Sequence, residues 1–344
     1  MHHGAGSKST SSSSPSSLSG TQDSASSRAR RSMLYVPGSS EKMIKKSQNS
    51  TADTIIFDLE DSVAAHKKAS ARETVLLALE AAARPGPELS VRINPPSGDK
   101  TLAGDDLDLL LTSRQLQTIV VPKVEHEDDI RFILDKVKAI RDKDHGTISL
   151  VLSIESAASL LRMPTIIEAV RSQSQNQSDS AAKPLIEISA LLFASEDYCA
   201  STGILRTSDR RSLLFPRAHM ATIAKACNLS AIDMVCIEYK DLDYLHEETQ
   251  EAKELGYDGK QAIHPAQVET IQSIFNPSEQ QIRRAARIKH LYTLAEKNDK
   301  GAYGLKDGDR LIMIDAPMLL QAEAILGKAK AAGLEIPDVS NEAD

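Results

Sequence analysis

The chain has 344 residues, with 41 Lys and Arg against 48 Asp and Glu, and a formal net charge of -7. This acidic balance and an aromatic content of 3% without tryptophan disfavour a nucleic-acid surface, which needs a basic face and stacking rings. No segment approaches the ~20 consecutive apolar residues of a membrane-spanning helix, so no membrane partner is expected. The three cysteines, Cys199, Cys227 and Cys236, form no CxxC pair and are predicted to be reduced thiols of an intracellular protein.

Residues 1–31 form a serine-rich segment that carries Lys8, Arg28, Arg30 and Arg31 against a single acid. The segment has no apolar run of signal-peptide length, which argues against secretion. Its composition predicts disorder and is typical of a mitochondrial transit peptide. A disordered tail without a targeting role, in a cytoplasmic protein, is the alternative.

Eight short apolar segments, each followed by a helix-compatible stretch, dominate the rest of the chain. The predicted strands are 33–36, 54–58, 89–93, 117–121, 149–154, 189–193, 231–236 and 259–263. The helices predicted after them are 40–49, 67–83, 104–112, 126–143, 156–171, 209–228, 241–255 and 265–274. Eight consecutive alternations predict an α/β fold, a (β/α)8 TIM barrel over residues 32–276. No GxGxxG or GxxxxGK[ST] motif supports a nucleotide-binding sheet or an NAD-dependent dehydrogenase.

The alternation stops after residue 276, and two further helices are predicted at 278–297 and 317–332. A barrel that is already closed does not need them. We therefore expect residues 277–344 to form a C-terminal helical extension that folds over a site or reaches a neighbouring subunit.

Several of the predicted strands end in a residue that can bind a metal or an anion, and a parallel barrel gathers such strand ends at one face. Glu155 and Asp197 end the adjacent fifth and sixth strands, so their carboxylates are predicted to converge on one hard cation. Two carboxylates, with the remaining positions left to water and substrate oxygens, suit Mg²⁺, and Mn²⁺ would fit the same ligands. The alternative is that each acid caps the helix that follows it.

Arg92 ends the third strand, where its guanidinium would point into the mouth of the barrel and bind a substrate carboxylate through two hydrogen bonds. An arginine inside an apolar strand is costly unless it is paired. An ion pair with Glu60 or Asp61 is therefore predicted as well, and it is compatible with substrate binding.

The loop after the first strand contains glycine and serine, and Lys42, Lys45 and Lys46 lie in the helix behind it. Such a pattern suits phosphate groups of a ligand. A solvated lysine face is the alternative.

Taken together, these segments make the chain similar to the citrate lyase beta subunit family of the HpcH/HpaI aldolase superfamily, over roughly residues 31 to 332. The matching motifs are Arg31–Gly38 (RSMLYVPG), Phe57–Val63 (FDLEDSV), Val91–Asn94 (VRIN), Val121–Glu125 (VPKVE), Ile154–Ser156 (IES), Ser195–Asp197 (SED), Gly259–Pro265 (GKQAIHP) and Met313–Asp315 (MID). Within the family the chain most resembles the stand-alone mitochondrial members. One departure is Ala194-Ser195, where the family has a small glycine-containing pair.

The resemblance implies a homotrimer of barrels with Mg²⁺ on Glu155 and Asp197 and with Arg92 on the substrate. It also implies contacts with a CoA thioester from Tyr35, Lys42, Lys46 and the backbone around Gln261 and Ala262. Asp315, on the C-terminal extension, would complete a neighbouring subunit's site as the catalytic acid/base.

The activity that the resemblance implies is cleavage of citramalyl-CoA to acetyl-CoA and pyruvate by retro-Claisen chemistry. A malate-synthase-like side activity with glyoxylate would follow from running the same site in reverse. Malyl-CoA, or another acyl-CoA/keto-acid aldol product, is the alternative substrate. A non-catalytic CoA-ester-binding protein is disfavoured, because Arg92, Glu155, Asp197 and Asp315 are all present.

Overall fold

A computed structural model describes residues 28–83, 85–142, 145–175, 184–297, 303–307 and 310–340. Its centre is a closed barrel of eight parallel strands in sequential order, in which the first strand also pairs with the eighth. The strands are β1 (Ser32–Pro37), β2 (Thr54–Asp58), β3 (Glu88–Arg92), β4 (Thr118–Val121), β5 (Ile148–Ile154), β6 (Ile186–Phe193), β7 (Ser230–Asp233) and β8 (Gly259–Ala262). The predicted (β/α)8 barrel is confirmed.

Helices surround the barrel and follow the strands in the predicted order. They are α1 (Glu41–Ser47), α2 (Lys68–Glu80), α3 (Lys100–Leu110), α4 (Glu127–Ile140), α5 (Ala157–Gln175), α6 (Ser195–Thr202), α7 (Leu214–Ala226), α8 (Leu242–Glu254) and α9 (Gln267–Phe275). Helix α6 was not predicted, because its first residues were interpreted as the end of the sixth strand. No helix among the described residues is long and apolar enough to cross a bilayer.

Successive side chains of each strand point to opposite faces of the barrel, so the buried apolar residues form two layers. One buried cluster draws residues from inside the barrel: Met33, Ile56, Val120, Val151, Ala190, Leu192 and Ile232. The larger cluster lies between the outer faces of the strands and the helices. Because a closed barrel leaves no unpaired sheet edge, its interior is filled by side chains and the mouth at the strand ends is free to carry polar groups.

The N-terminal end of the barrel is closed by a buried ion pair between Arg30 and Glu88. Arg30 binds both carboxylate oxygens of Glu88, at 2.7 and 2.8 Å, and also donates to the hydroxyls of Ser149 (2.9 Å) and Ser189 (2.8 Å). These four residues are termed the floor cluster. Burial alone would raise the pKa of Glu88, but Arg30 holds it at about 2. Residues 28–31, which composition groups with the serine-rich segment, thus pack against the barrel.

Gly259 lets this N-terminal segment pass close to β8. A Cβ atom at this position would lie 1.8 Å from the carbonyl oxygen of Arg30. The next amide, of Lys260, donates to the carbonyl of Arg31 at 2.9 Å. Any other residue at 259 would push the segment away from the barrel.

The C-terminal extension contains the two predicted helices, α10 (Glu279–Lys297) and α11 (Ala316–Ala331). Between them lies an antiparallel hairpin that was not predicted, β9 (Tyr303–Asp307) and β10 (Arg310–Ile314). Helix α11 is anchored to the N-terminal side of the barrel by an ion pair between Lys328 and Asp258, at 3.1 Å, just before β8. The domain boundaries and a reach toward a neighbouring subunit stay predictions.

Candidate active site

Arg92, at the end of β3, is fixed by acids from β2 and the loop after it. Its Nε and Nη2 atoms donate to the two carboxylate oxygens of Asp58 at 2.6 and 2.8 Å. Its Nη1 atom lies 3.0 Å from Glu60 and 3.3 Å from Asp61. The predicted ion pairs with Glu60 and Asp61 are therefore confirmed, and Asp58 is a stronger partner that was not predicted. Burial opposes ionisation of Asp58, yet the hydrogen bonds and charge of Arg92 hold its pKa below the ordinary value.

Glu60 is a buried carboxylate between two cations. Lys123 donates to it at 2.8 Å, and Arg92 lies on its other side. Burial raises the pKa of Glu60 to about 7, although both cations act in the opposite direction. A carboxyl group with this pKa exchanges its proton near neutral pH.

Lys123 also connects β4 to the predicted metal ligands. It has a left-handed backbone (φ 50°), which costs a non-glycine residue ~1 kcal/mol. Burial raises the pKa of Glu155, while the backbone and the charge of Lys123 act to lower it. Strained residues of this kind are concentrated at functional sites.

Glu155 and Asp197 lie close enough for their charges to interact. Their convergence on one metal ion stays a prediction. Glu155 is buried, and the nearby Ser153 hydroxyl acts to lower its pKa. Burial raises the pKa of Glu155, and the carboxylate of Asp197 raises it further. Asp197 is half-buried in the first turn of α6. No group of three His, Cys, Asp or Glu side chains able to hold a metal occurs among the described residues.

The charges at the mouth fit a divalent cation. The mouth carries five carboxylates, those of Asp58, Glu60, Asp61, Glu155 and Asp197. Arg92 pairs with the first three, and Lys123 pairs with Glu60 and acts on Glu155 through its charge. Two carboxylates with open positions, as Glu155 and Asp197 would provide, are what Mg²⁺ accepts.

Tyr35, at the end of β1, lies under Arg92 with 5.0 Å between its ring centroid and the guanidinium carbon. Burial raises the pKa of Tyr35 above its ordinary value, so the phenol stays protonated at neutral pH. In the following loop, the amide of Gly38 donates to the carbonyl of Asp58 at 2.8 Å, where a Cβ would collide. Gly38 therefore links the loop after β1 to the end of β2. Because its amide donates to Asp58, that amide is not available to a ligand.

The other predicted CoA-binding residues lie at the same end of the barrel. Lys42 and Lys46 are exposed on α1, whose start is capped by the hydroxyl of Ser40. The side chain of Gln261 is buried, and its amide donates to the carbonyls of Phe193 (2.9 Å) and Asp233 (3.0 Å). Gln261 thereby connects the ends of β6, β7 and β8. Ala262 is the next residue and the last of β8. These assignments to CoA stay predictions.

Asp315 lies apart from these residues. It is the exposed N-cap of α11, and its Oδ1 atom accepts from the amide of Met318 at 2.9 Å. Lys328, near the other end of α11, pairs with Asp258 at the N-terminal side of the barrel, and no contact of Asp315 with the mouth is found among the described residues. A catalytic role for Asp315 in a neighbouring subunit's site stays a prediction.

Three contributors to the site were not predicted from the sequence: the carboxylate of Asp58, the backbone of Lys123 and the hydroxyl of Ser153. Asp58 and Lys123 both stand in the strand-end motifs that signalled the site. Their partners depend on distances between strands, which the motifs do not encode.

A closed parallel barrel with a cluster of charged side chains at the carboxyl ends of its strands defines a TIM-barrel enzyme. The chain belongs to the HpcH/HpaI aldolase/citrate lyase family, whose model matches residues 31–265. The resemblance to the citrate lyase beta subunit family is thereby confirmed.

Curated relatives cover most of the chain. Citramalyl-CoA lyase, mitochondrial, of Homo sapiens is 33% identical over 86% of this chain and 84% of its own length. Citrate lyase subunit beta of Haemophilus influenzae is 32% identical over 88% of this chain and 98% of its own. The (3S)-malyl-CoA thioesterase of Cereibacter sphaeroides is 29% identical over 88% of this chain and 95% of its own.

Solved structures share the fold. The protein CitE of Mycobacterium tuberculosis, in complex with magnesium, acetoacetate and coenzyme A, is 25% identical, with a TM-score of 0.62 over 89% of this chain and 99% of that one. A citrate lyase of Burkholderia xenovorans has a TM-score of 0.72 over 90% of this chain and 94% of that one. At 22% identity, the second comparison supports the fold alone.

Proposed function

We propose that this protein is a magnesium-dependent carbon–carbon lyase that cleaves citramalyl-CoA to acetyl-CoA and pyruvate. The observation that carries the proposal is the placement of the Glu155 and Asp197 carboxylates beside the Arg92 cluster, in a chain 33% identical to a citramalyl-CoA lyase. The magnesium and coenzyme A in the related CitE complex support the same cofactor and class of substrate.

Glu155 and Asp197 would hold Mg²⁺, and the bound ion supplies charge that acidifies the substrate hydroxyl and orients its carboxylate. Cleavage of the C2–C3 bond leaves a keto acid and a thioester enolate, so negative charge develops on oxygen and needs stabilisation. Asp58 uses two of the five guanidinium N–H groups of Arg92. Because Nη1 faces Glu60 and Asp61, the second N–H of Nη2 would be left for the substrate, in an orientation fixed before the substrate binds.

Asp315 of a neighbouring subunit would deliver the proton to the enolate carbon as general acid. Its exposure at the start of α11 supports a shared site. This assignment predicts a homotrimer or another assembly in which α11 of one copy reaches the mouth of the next.

Lys42 and Lys46 are exposed at the mouth side of α1, where their ammonium groups would bind the phosphates of CoA. Tyr35 would then contact the thioester end beside Arg92. The backbone at Gln261 and Ala262 would line the opposite side of the thioester.

A mitochondrial location is the proposal for the cell. It is supported by the mitochondrial relatives from human, mouse and rat and by the serine-rich, arginine-bearing segment at residues 1–31. Three arginines of that segment, Arg28, Arg30 and Arg31, also pair with acids of the barrel.

The test is release of pyruvate and acetyl-CoA from citramalyl-CoA, with malyl-CoA and free citrate in parallel, before and after chelation and Mg²⁺ rescue. Rapid, metal-dependent pyruvate release supports the proposal. The malyl-CoA thioesterase relative makes malyl-CoA the second candidate. Activity on malyl-CoA alone would replace the substrate and keep the site, and no activity on either ester would overturn the lyase assignment.

A further inference from the structure

Arg206, in the loop after α6, binds the turn that carries Asp197. Its Nη1 atom donates to the hydroxyl of Ser195 at 3.1 Å and to the carboxylate of Glu196. Ser195 and Glu196 are the two residues immediately before Asp197. Its Nη2 atom donates to the carbonyl of Val235 at 2.8 Å, just after β7. One guanidinium thus joins the first turn of α6 to the end of β7.

This turn has no side-chain cap of its own. Residue Ala194 occupies the N-cap position of α6 and offers no oxygen to the first free amides. Ser, Thr, Asp or Asn would ordinarily restrain such a turn. The hydrogen bonds of Arg206 are therefore the side-chain restraint that the structure provides for Ser195 and Glu196.

A buried ion cluster behind β7 and β8 holds Arg206 in place. Arg206 lies 3.1 Å from one carboxylate oxygen of Glu248, and Lys260 lies 2.8 Å from the other. Lys260 is also 3.2 Å from Asp233. The side chains of Glu248, Lys260 and Asp233 are fully buried. Ordering a long arginine side chain costs conformational entropy. The buried carboxylate of Glu248, itself fixed by Lys260, offsets this cost and holds Arg206 in one orientation.

Lys260 stands next to Gln261 in β8, and the side chain of Gln261 binds the carbonyl of Phe193, the last residue of β6. Two routes therefore connect β8 to the metal-binding end of β6, one through Gln261 and one through Lys260, Glu248 and Arg206. Charged groups that face Arg206 come from α6 (Glu196) and α8 (Glu248).

We propose that Arg206 is a positioning residue for the metal site: it fixes the first turn of α6 so that the carboxylate of Asp197 faces Glu155. The inference rests on the metal site of the proposed function. Partners that orient metal ligands from behind typically change metal affinity ~10- to 100-fold when removed. The role concerns the metal, so it is measurable without any substrate.

Arg210 provides a matched control. It also pairs with an acid of α8, with its Nε atom 2.7 Å from Glu251, and it stacks on Tyr244 at 5.1 Å. Its recorded partners lie in the loop before α7 and on α8, away from the first turn of α6. Loss of either arginine removes a partly buried ion pair, but only Arg206 contacts the residues beside Asp197.

The experiment measures Mn²⁺ binding to the purified full-length protein by the electron paramagnetic resonance signal of free Mn²⁺, together with the Tm. Arg206→Met is expected to weaken Mn²⁺ binding ~10-fold or more, whereas Arg210→Met stays within ~2-fold of the parent protein. Arg206→Lys retains the charge for Glu248 without the planar fork, so the Tm recovers more than the affinity does.

Unchanged Mn²⁺ affinity in Arg206→Met, with binding in the parent protein, overturns the inference alone. Equal weakening in Arg206→Met and Arg210→Met overturns it too, because it would reflect general loosening. If the parent protein binds no Mn²⁺, the metal site of the proposed function fails and the inference fails with it. If Arg206→Met does not fold, Ser195→Ala and Arg206→Lys decide, with weakened binding at normal Tm as the supporting result.

Discussion

The ring of Tyr35 lies against the guanidinium of Arg92, with 5.0 Å between ring centroid and guanidinium carbon. The two residues come from β1 and β3, and Asp58 on the intervening strand β2 binds the edge of the same guanidinium. A cation held by a ring face and by a bidentate carboxylate has little rotational freedom. Arg92 is thus oriented by three consecutive strands before any ligand enters.

Asp58→Asn is expected to lower kcat/KM on the CoA ester ~100-fold, because a neutral amide cannot hold Arg92 through two charge-assisted hydrogen bonds. Asp61→Asn is the matched control, since Asp61 touches the same guanidinium at 3.3 Å but its side chain is 57% exposed. Steady-state kinetics of both variants, with Tm measured alongside, check the prediction. Similar kinetics in the two variants would show that orientation by Asp58 is unimportant.

Metal binding should release protons and weaken as the pH falls. Burial, and then the carboxylate of Asp197, raise the pKa of Glu155, so part of the Glu155 population is protonated at pH values where an ordinary glutamate is ionised. The metal requires the ionised form. Calorimetric titration with Mg²⁺ in two buffers of different ionisation enthalpy measures the proton release. Glu155→Gln should abolish it, while Asp128→Asn, on the exposed start of α4, should not change it.

Two inactive variants should restore activity to each other if Asp315 serves a neighbouring barrel. Asp315→Asn keeps the helix cap, because asparagine also caps, and should lose turnover while retaining CoA-ester binding. Glu155→Gln should lose the metal. Co-expressed in one cell with separate tags and purified through both tags, mixed oligomers contain sites with an intact barrel and an intact Asp315. Measurable activity in the mixed sample, with each variant inactive alone, confirms a shared site. Activity retained by Asp315→Asn alone, or none in the mixed sample, would contradict the role of Asp315 in a neighbouring barrel.

The floor cluster should make stability sensitive to acid. The pKa of Glu88 falls from 4.5 to about 2 in the folded protein, so its contribution is present above pH 4.5 and is lost as the pH falls toward 2. Arg30→Met should destabilise the protein by about 3–5 kcal/mol at pH 7, because Glu88 is left buried without its main partner. Arg28→Met should cost under ~1 kcal/mol, since Arg28 pairs with the same carboxylate from a side chain that is 43% exposed.

Urea unfolding at pH 7 and pH 3 measures both effects. Glu88→Gln should flatten the decline in the free energy of unfolding over this range relative to the parent protein. Equal losses in Arg28→Met and Arg30→Met would refute the role of burial. A chain that starts at residue 28 keeps the cluster, whereas one that starts at residue 32 loses Arg30 and should show the same loss as Arg30→Met.

The barrel was predictable because each strand is a short apolar run whose last residues change abruptly to charged ones, as in Ile56-Phe57-Asp58 and Ile154-Glu155. Helix α6 was missed since Ser195, Glu196 and Asp197 resemble the end of a strand, and its turn is restrained by Arg206 from outside the local sequence. The hairpin before Asp315 was likewise missed.

The partners within the site were less predictable than its members. The end of β2 and the loop after it contain three acids that could pair with Arg92, namely Asp58, Glu60 and Asp61. The register of β2 against β3 places Asp58 beside Arg92 and so selects it as the bidentate partner. The left-handed Lys123 also gave no local signal, because it is neither glycine nor asparagine.

The close passage of the Arg30 backbone over Gly259 has a consequence for the order of folding. The two residues are more than two hundred positions apart, and such non-local contacts form late because a long loop must close first. During synthesis, Lys260, whose amide binds the carbonyl of Arg31, is added only when almost the whole barrel has been translated. The contact of Arg30 and Arg31 with β8 is therefore made only after the eighth strand has left the ribosome, later than the pairing of Arg30 with Glu88 becomes possible.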